Sequence, residues 1–268
     1  MQEYILAQID SLPPLPQTVI YIEKFKQQED KCPQELAKIV AKDPLILSTL
    51  LKVSNSAMFG FKKKIETPQM AVSLLGVNFT ISLAFGSAIK NLVETSLEPY
   101  GANADAFLEI ATQAVILSSR WVNTIDPSLK ERLSLPVFLL EIGKFIIARI
   151  LKDKNLIDAF YLDVKDSLNI AEVEKKYIGI STSFITAAIF EKWGLSESLI
   201  ADIKYVDEPL HVDNQSLQIS QIIHVVNQVC NIVAPFKEEA IAAAVEYAQN
   251  AGLPSKELLD IIRVMQGQ

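Results

Sequence analysis

The sequence predicts an all-α protein, and three observations lead to this prediction. Apolar residues recur at intervals of three and four along most of the 268 residues, which is the spacing of one helix face. No stretch shows the alternation of apolar and polar residues that is typical of a strand. Half of the residues are hydrophobic and 21% are charged, which is the composition of a folded chain. The length suffices for one large domain or two smaller ones.

The clearest local signals lie between residues 43 and 76. Asp43 can accept hydrogen bonds from the first free amides of a helix, and Pro44 suits the first helical position because it has no N–H to satisfy. Thr67 and Pro68 repeat this combination, and Gly76 is placed to end the second helix. We therefore expect two helices joined by an ordered connection.

That connection, residues 55–64, is called the elbow below. Gly60 permits a left-handed backbone there, and large apolar side chains stand next to a run of lysines. One hypothesis makes the elbow a contact surface for an acidic partner, formed by Asn55, Ser56, Met58, Phe59, Phe61, Lys62, Lys63 and Lys64. In the alternative, the aromatic residues anchor the elbow to the core, Asn55 bonds its backbone and the lysines are merely solvated. If Asn55 is structural, alanine there should cost roughly 1–3 kcal/mol, whereas a contact residue would hardly affect melting.

The other predicted helices follow from apolar spacing and from end signals. Asn78 and Ser255 are expected to cap helices, and Gly194 and Gly252 to end them. The predicted ranges are 2–11, 19–27, 33–41, 78–93, 105–123, 135–151 with an interruption at Glu141, 157–162, 171–177, 183–193, 197–205, 217–233, 237–250 and 256–265. The segment 96–103 contains Pro, Gly and Asn, so a boundary is expected between subdomains 1–95 and 104–268 of one unit, 1–268.

Charge and cysteine content limit the classes of function. The net charge of −7 argues against general nucleic-acid binding, because affinity for phosphates comes mainly from lysine and arginine. Two cysteines, Cys32 and Cys230, are too few for a disulfide framework and indicate a reduced, cytoplasmic protein. The N-terminus lacks a signal peptide pattern. The uncharged stretch 67–89 contains proline and glycine, and is expected to form two short helices rather than a membrane span.

Six short motifs together resemble the HDOD domain, the "HD-related output domain" of bacterial signalling proteins. In chain order they are LPPLP (12–16), DP (43–44), NSAMFG (55–60), I-x-x-P-x-x-A-V-x-x-L-G (65–76), EIGK (141–144) and EKWGL (191–195). The resemblance implies a multi-helix fold in which an N-terminal helical subdomain packs on a degenerate HD-like helical subdomain. It also implies structural roles for Asp43, Pro44, Gly60, Gly76 and Trp193.

The related HD superfamily binds metal through a separated histidine, a His-Asp pair and a later aspartate. This chain has two histidines, His211 and His224, and no His-Asp pair. A gapless match to the superfamily pattern places at the ligand positions Leu140, Glu141, Thr182, Val206 and Asp207. The resemblance therefore implies a retained fold with no metal, no cofactor and no catalysis. The remaining histidines are expected to be a solvated loop residue and a helical residue with one backbone partner.

The preferred hypothesis is a non-catalytic signal-transduction or regulatory module of bacterial type. It would be cytoplasmic and would act by binding signalling proteins, with a nucleotide as an alternative ligand of its pocket. The alternative function is that of a divergent HD-type phosphohydrolase acting on nucleotides, which would need Glu141, Asp207 and His211 to converge in space.

Overall fold

The structure is a computed structural model that describes residues 2–61, 63–92, 96–209 and 214–267. Within those ranges the chain is helical and contains no strand, so the predicted fold class is confirmed. In chain order the α-helices are α1 (Gln2–Asp10), α2 (Gln17–Lys26), α3 (Pro33–Val40), α4 (Pro44–Ser54), α5 (Pro68–Leu75), α6 (Val77–Leu92), α7 (Ala104–Val122), α8 (Lys130–Leu139), α9 (Gly143–Asp153), α10 (Ile157–Val164), α11 (Ile170–Ile178), α12 (Thr182–Lys192), α13 (Glu197–Lys204), α14 (Asn214–Val229), α15 (Glu238–Asn250) and α16 (Ser255–Met265).

The chain forms two compact units. The smaller unit is Pro13–Val93, and the larger unit combines Met1–Leu12 with Glu94–Gln268. This division differs from the expected subdomains in helix α1, which packs against α9 and α12 of the larger unit. The segment expected to be a boundary also belongs to the larger unit, where Leu97 and Tyr100 are buried. Its proline and glycine therefore shape a packed turn instead of an open linker.

In the smaller unit, α4 packs against α5 and α6, and α3 packs against α5. The core is apolar and includes Val19, Ile22, Phe25, Leu36, Ile46, Leu50, Val72 and Phe85. A hydrogen bond of 2.9 Å from the Ser87 hydroxyl to Thr49 Oγ1 joins α6 to α4. Leu45 is 61% exposed, so the apolar face of α4 is narrower than its sequence indicates.

Both predicted helix starts of this unit are confirmed. The Asp43 side chain accepts hydrogen bonds from two amides of α4, and the Thr67 side chain accepts one from the Met70 amide of α5. Gly76 ends α5 with a φ of 84°, a value that favours glycine. The prediction that Asn78 caps α6 was wrong, because α6 already begins at Val77.

Helices α5 and α6 meet at an angle of 118°, so the uncharged stretch 67–89 forms two separate helices, as expected from the sequence. In the described part of the chain, no single helix is both long enough and apolar enough to cross a membrane, although this bent pair meets the criteria of length and composition.

In the larger unit, α7 packs against α8, α14 and α16, while α12 packs against α9 and α13. Trp121 is fully buried on α7 and donates from its indole nitrogen to the Pro254 carbonyl, at 2.9 Å, just before α16. The prediction that Ser255 caps α16 was wrong, because Ser255 is already the first helical residue. Gly194 and Gly252 follow α12 and α15 with positive φ angles, as predicted.

Candidate functional site

The expected interruption at Glu141 separates α8 from α9 and brings α9 very close to α12. A short 3₁₀ turn, Leu140–Ile142, lies between the two helices. The Gly143 amide donates to Thr186 Oγ1 at 2.9 Å, and the Thr186 hydroxyl donates to the Leu140 carbonyl at 2.7 Å. A Cβ atom on Gly143 would lie 2.6 Å from the Thr182 carbonyl oxygen, so glycine is required for this approach. The contact places Glu141 and Lys144 beside the start of α12.

Lys144 is the centre of a buried polar cluster. Its side chain is 3% exposed, and three oxygens surround its ammonium: Glu141 Oε1 and Glu174 Oε1 at 3.1 Å each, and Thr182 Oγ1 at 3.2 Å. Burial lowers the pKa of Lys144, but the two carboxylates outweigh burial and raise that pKa above its ordinary value. Lys144 therefore stays protonated over the whole physiological range of pH.

Glu174, on α11, is the best-satisfied carboxylate of the cluster. It accepts hydrogen bonds from the Tyr100 hydroxyl at 2.9 Å and from both the amide and the hydroxyl of Thr182 at 2.6 Å. Burial, and then the charge of Glu174, raise the pKa of Tyr100 well above its ordinary value. Tyr100 thus remains a neutral hydrogen-bond donor that ties residues 98–100 to α11.

Glu141 is buried with much less support. Neither of its carboxyl oxygens has a hydrogen-bond donor among the described residues, so Glu141 interacts with Lys144 only through the attraction between opposite charges. Burial raises the pKa of Glu141. The positive charge of Lys144 acts against this increase, and the negative charge of Glu174 adds to it. Glu141 therefore has both a salt bridge to Lys144 and a raised pKa.

A polar cavity of about 260 Å³ opens beside this cluster, and we refer to it as the polar cavity. It is lined by Leu140, Lys144, Leu168, Asn169, Ile170, Ala171, Glu174, Thr182, Ser183, Asp207, His224, Asn227, Gln228, Asn231 and Ala243. Three of the five degenerate HD positions, Leu140, Thr182 and Asp207, therefore share one cavity. The other two positions, Glu141 and the buried Val206, are the sequence neighbours of Leu140 and Asp207.

The lining of the polar cavity also includes Asp207 and His224. Asp207 Oδ2 accepts a hydrogen bond from the Ser183 hydroxyl at 2.6 Å. His224 Nδ1 lies 2.8 Å from the Val206 carbonyl, and because a carbonyl only accepts, Nδ1 carries the proton. Burial lowers the pKa of His224, so the ring is neutral at pH 7 and its Nε2 is an acceptor. The prediction of a helical histidine with one backbone partner is confirmed.

These residues do not match the donor set of an HD metal centre. Leu140 and Val206 have no side-chain atom that could bind a metal, and Glu141, the carboxylate at the matched aspartate position, faces the Lys144 ammonium. Within the described ranges, no group of three or more His, Cys, Asp or Glu side chains is arranged to hold a metal ion. His211, which the alternative function requires, lies outside the described residues. Cys230 is buried, which raises the pKa of its thiol, so it is a poor nucleophile.

The elbow forms the second candidate site, in the smaller unit. Asn55 joins the end of α4 to the far side of the elbow: its Nδ2 donates to the Leu51 and Ile65 carbonyls, and its Oδ1 accepts from the Ile65 amide, all at 2.8 Å. Gly60 has a φ of 60°, as its predicted role requires. Asn55 is thus a structural residue of the elbow.

The apolar residues of the elbow divide into two groups. Phe59 is half-buried and makes an edge contact with Phe79 of the core, with ring centroids 5.7 Å apart. Met58 and Phe61 are each 37% exposed, and Phe61 stacks on Phe59 at 5.9 Å. Anchoring therefore accounts for Phe59 alone, and leaves Met58 and Phe61 for the predicted contact surface.

The polar residues of the elbow are more exposed. Ser56 is half-buried, whereas Lys63 and Lys64 are exposed, and Lys64 forms a solvent-exposed pair with Glu66 at 3.5 Å. Lys62 lies outside the described residues.

Trp193, for which the family resemblance implies a structural role, is half-buried at the end of α12 in the larger unit.

Changing Asn55 to alanine is expected to lower the free energy of unfolding by roughly 1–2 kcal/mol. The change removes three hydrogen bonds to backbone groups, but the site is exposed and water can replace part of them. Denaturant unfolding of both proteins measures the loss. Asn123→Ala is a suitable control, since Asn123 lies exposed at the end of α7. An unchanged stability for Asn55→Ala would contradict the structural role.

Comparison with known proteins assigns the fold and the family. The profile of the HDOD domain matches residues 12–209, about three quarters of the chain. No curated protein matches the sequence significantly. One similar crystal structure is that of an HDOD domain protein with unknown function from Geobacter sulfurreducens, with 18% sequence identity and a TM-score of 0.69; the match covers 99% of this chain and 87% of that chain. Another is that of a virulence factor from Campylobacter jejuni subsp. jejuni, with 24% sequence identity and a TM-score of 0.57; the match covers 99% of this chain and 98% of that chain. At such identities the likeness concerns the fold. The family match covers most of the chain, and the protein therefore belongs to the HDOD domain family.

Proposed function

We propose that this protein is a non-catalytic regulatory module of a signalling system, which acts by binding partner proteins. The observation that carries the proposal is the Lys144 cluster. Of the five positions equivalent to HD metal ligands, Leu140 and Val206 carry aliphatic side chains, and Glu141 faces the buried Lys144 ammonium at 3.1 Å. This donor set is poorly suited to hold the polarising cation whose bound water would be the nucleophile in phosphate ester hydrolysis.

Metal analysis combined with a hydrolysis assay tests this proposal. The protein is purified without chelators or metal-affinity columns, its metal content is measured, and bis(p-nitrophenyl) phosphate is offered with added Mn²⁺. We expect far less than one equivalent of transition metal, and the same background hydrolysis from wild type and from Asp207→Asn. One or two equivalents of metal, or hydrolysis that Asp207→Asn abolishes, would instead establish the divergent phosphohydrolase.

The elbow is the surface that we assign to partner binding. Met58 and Phe61 expose apolar area beside Lys63 and Lys64, a combination suited to an acidic segment that also carries apolar side chains. The net charge of the whole chain is negative, so this positive patch is a local feature of the elbow. An acidic partner would be attracted to the patch rather than to the protein as a whole.

Charge reversal tests the elbow surface. In a cell extract treated with a crosslinker, the double variant Lys63→Glu/Lys64→Glu is expected to lose the partners that wild type captures. The matched control is Lys24→Glu/Lys38→Glu, which makes the same charge change at two exposed positions of the same unit. Both variants should melt like wild type. Equal capture by the two double variants would contradict a role for the elbow.

A further inference from the structure

We infer that the polar cavity binds a small organic cation, a compound that carries a primary ammonium or guanidinium group. This site goes beyond the proposed function, because it lies in the larger unit while the elbow belongs to the smaller one.

The first argument concerns the positive charge of the cavity wall. Among the described lining residues, Lys144 is the one with a permanent positive charge. An ammonium has three N–H groups, and three protein oxygens already lie within 3.2 Å of Lys144 Nζ. Lys144 donates hydrogen bonds to Glu174 and Thr182, and the Glu141 carboxylate lies 3.1 Å from its ammonium, so its positive charge is already compensated within the protein. A phosphate or carboxylate entering the cavity would find no free cationic group to compensate its charge.

The second argument concerns net charge. Glu174 and Asp207 are carboxylates of the wall, and Lys144 balances one of them. Glu141 adds either a further negative charge or none, according to its protonation. The cluster is thus negative in both states of Glu141. A cationic ligand would neutralise that charge, and an anionic ligand would add to it.

The third argument concerns hydrogen bonding. Besides amide side chains, which can donate as well as accept, the lining residues include acceptors: the Asp207 carboxylate, the Nε2 of the neutral His224 ring, and Gln228 Oε1. Gln228 Oε1 is shielded from solvent and has no donor among the described residues, so this lining residue carries an unsatisfied acceptor. An ammonium supplies three donors and a guanidinium five, whereas phosphate supplies mainly acceptors.

The size of the cavity limits the ligand further. At about 260 Å³ it lies just below the range of roughly 300–1,000 Å³ that is usual for drug-sized ligands. A diamine or an amine with a guanidinium group is of suitable size, and a nucleotide would have to leave much of its surface outside. The nucleotide ligand considered from the sequence is therefore disfavoured by charge, by hydrogen bonding and by volume.

Titration calorimetry of the full chain with putrescine and agmatine tests the inference, with inorganic phosphate, AMP and Mn²⁺ as counter-probes. We expect at least one of the two amines to bind, and Asp207→Asn to weaken its binding roughly 10- to 100-fold through loss of a charge-assisted contact. Asparagine can still accept the hydrogen bond from Ser183, so the variant should fold. The matched control is Asp166→Asn, since the Asp166 side chain is 80% exposed and lies outside the cavity.

Three results would overturn the inference: no heat from either amine, amine binding that Asp207→Asn leaves unchanged, or binding of phosphate, AMP or Mn²⁺ that this variant abolishes. Thermal melts of each variant show that it is folded. Equal partner capture by the two double variants, which would contradict the elbow proposal, would leave the calorimetric result unaffected, so the two proposals fail separately.

Discussion

Lys144→Met is expected to lower the free energy of unfolding by about 3–5 kcal/mol, which is the usual cost of removing one partner from a buried ion pair. Methionine keeps most of the volume of the lysine stem, so the loss arises from charge and not from a cavity. Two buried carboxylates, Glu141 and Glu174, would lose the ammonium that lies 3.1 Å from each of them. Denaturant unfolding at pH 7.5 measures the effect.

The loss should be smaller at pH 5 than at pH 7.5. Burial raises the pKa of Glu141, and without Lys144 the main opposing charge is lost, so Glu141 binds a proton more tightly in the folded state than in the unfolded state. A protonated carboxyl avoids most of the cost of burial. Stability of the variant therefore falls as pH rises through this window. If the pH dependence of the variant equalled that of wild type, the carboxylates would not be the source of the loss.

Lys176→Met is the matched control for this change. Lys176 lies on the same helix as Glu174 and pairs with Asp163 at 2.6 Å, but its side chain is 67% exposed. Solvent screens such a pair, so its removal should leave the melting temperature almost unchanged. Equal melting temperatures for the two lysine variants would contradict the central role of Lys144.

The sequence predicted the smaller unit well because its signals are local. Asp43 and Thr67 cap their helices through hydrogen bonds to amides two or three residues away, and such contacts can be inferred from residue type and spacing. The wrong predictions, of caps at Asn78 and Ser255, also came from residue type and spacing alone. Each residue type suits a cap, but α6 already begins at Val77 and α16 at Ser255, so both residues lie inside their helices.

The candidate site was only partly predictable. Alignment to the HD pattern identified Leu140, Thr182 and Asp207, which the fold brings to one cavity. The alignment did not indicate that Glu174 belongs to the site. Glu174 lies in a polar stretch of α11, and such a sequence is typical of a helix face exposed to solvent. Its burial depends on Tyr100, 74 residues away, and on Lys144, 30 residues away. Long-range partners of this kind have no local sequence signal.

Gly143→Ala is expected to destabilise the protein by about 3 kcal/mol, the upper part of the range for an overpacked core. In an exposed helix the same change would stabilise by about 1 kcal/mol. Here the added Cβ would meet the Thr182 carbonyl oxygen at 2.6 Å, and Thr186 Oγ1 at 2.8 Å. The first of these is a backbone atom, so no side-chain rotation relieves the overlap. Helices α9 and α12 would have to separate.

Gly194→Ala provides the comparison for this change. Gly194 has open space around its Cβ position and a φ of 66°, so alanine there meets only the strain of a left-handed backbone, about 1 kcal/mol. Denaturant unfolding should therefore rank Gly143→Ala as the more damaging variant. The reverse order would show that α9 and α12 can move apart at little cost. Because this contact also sets Thr182 against Glu174 and Lys144, such freedom would extend to residues that line the polar cavity.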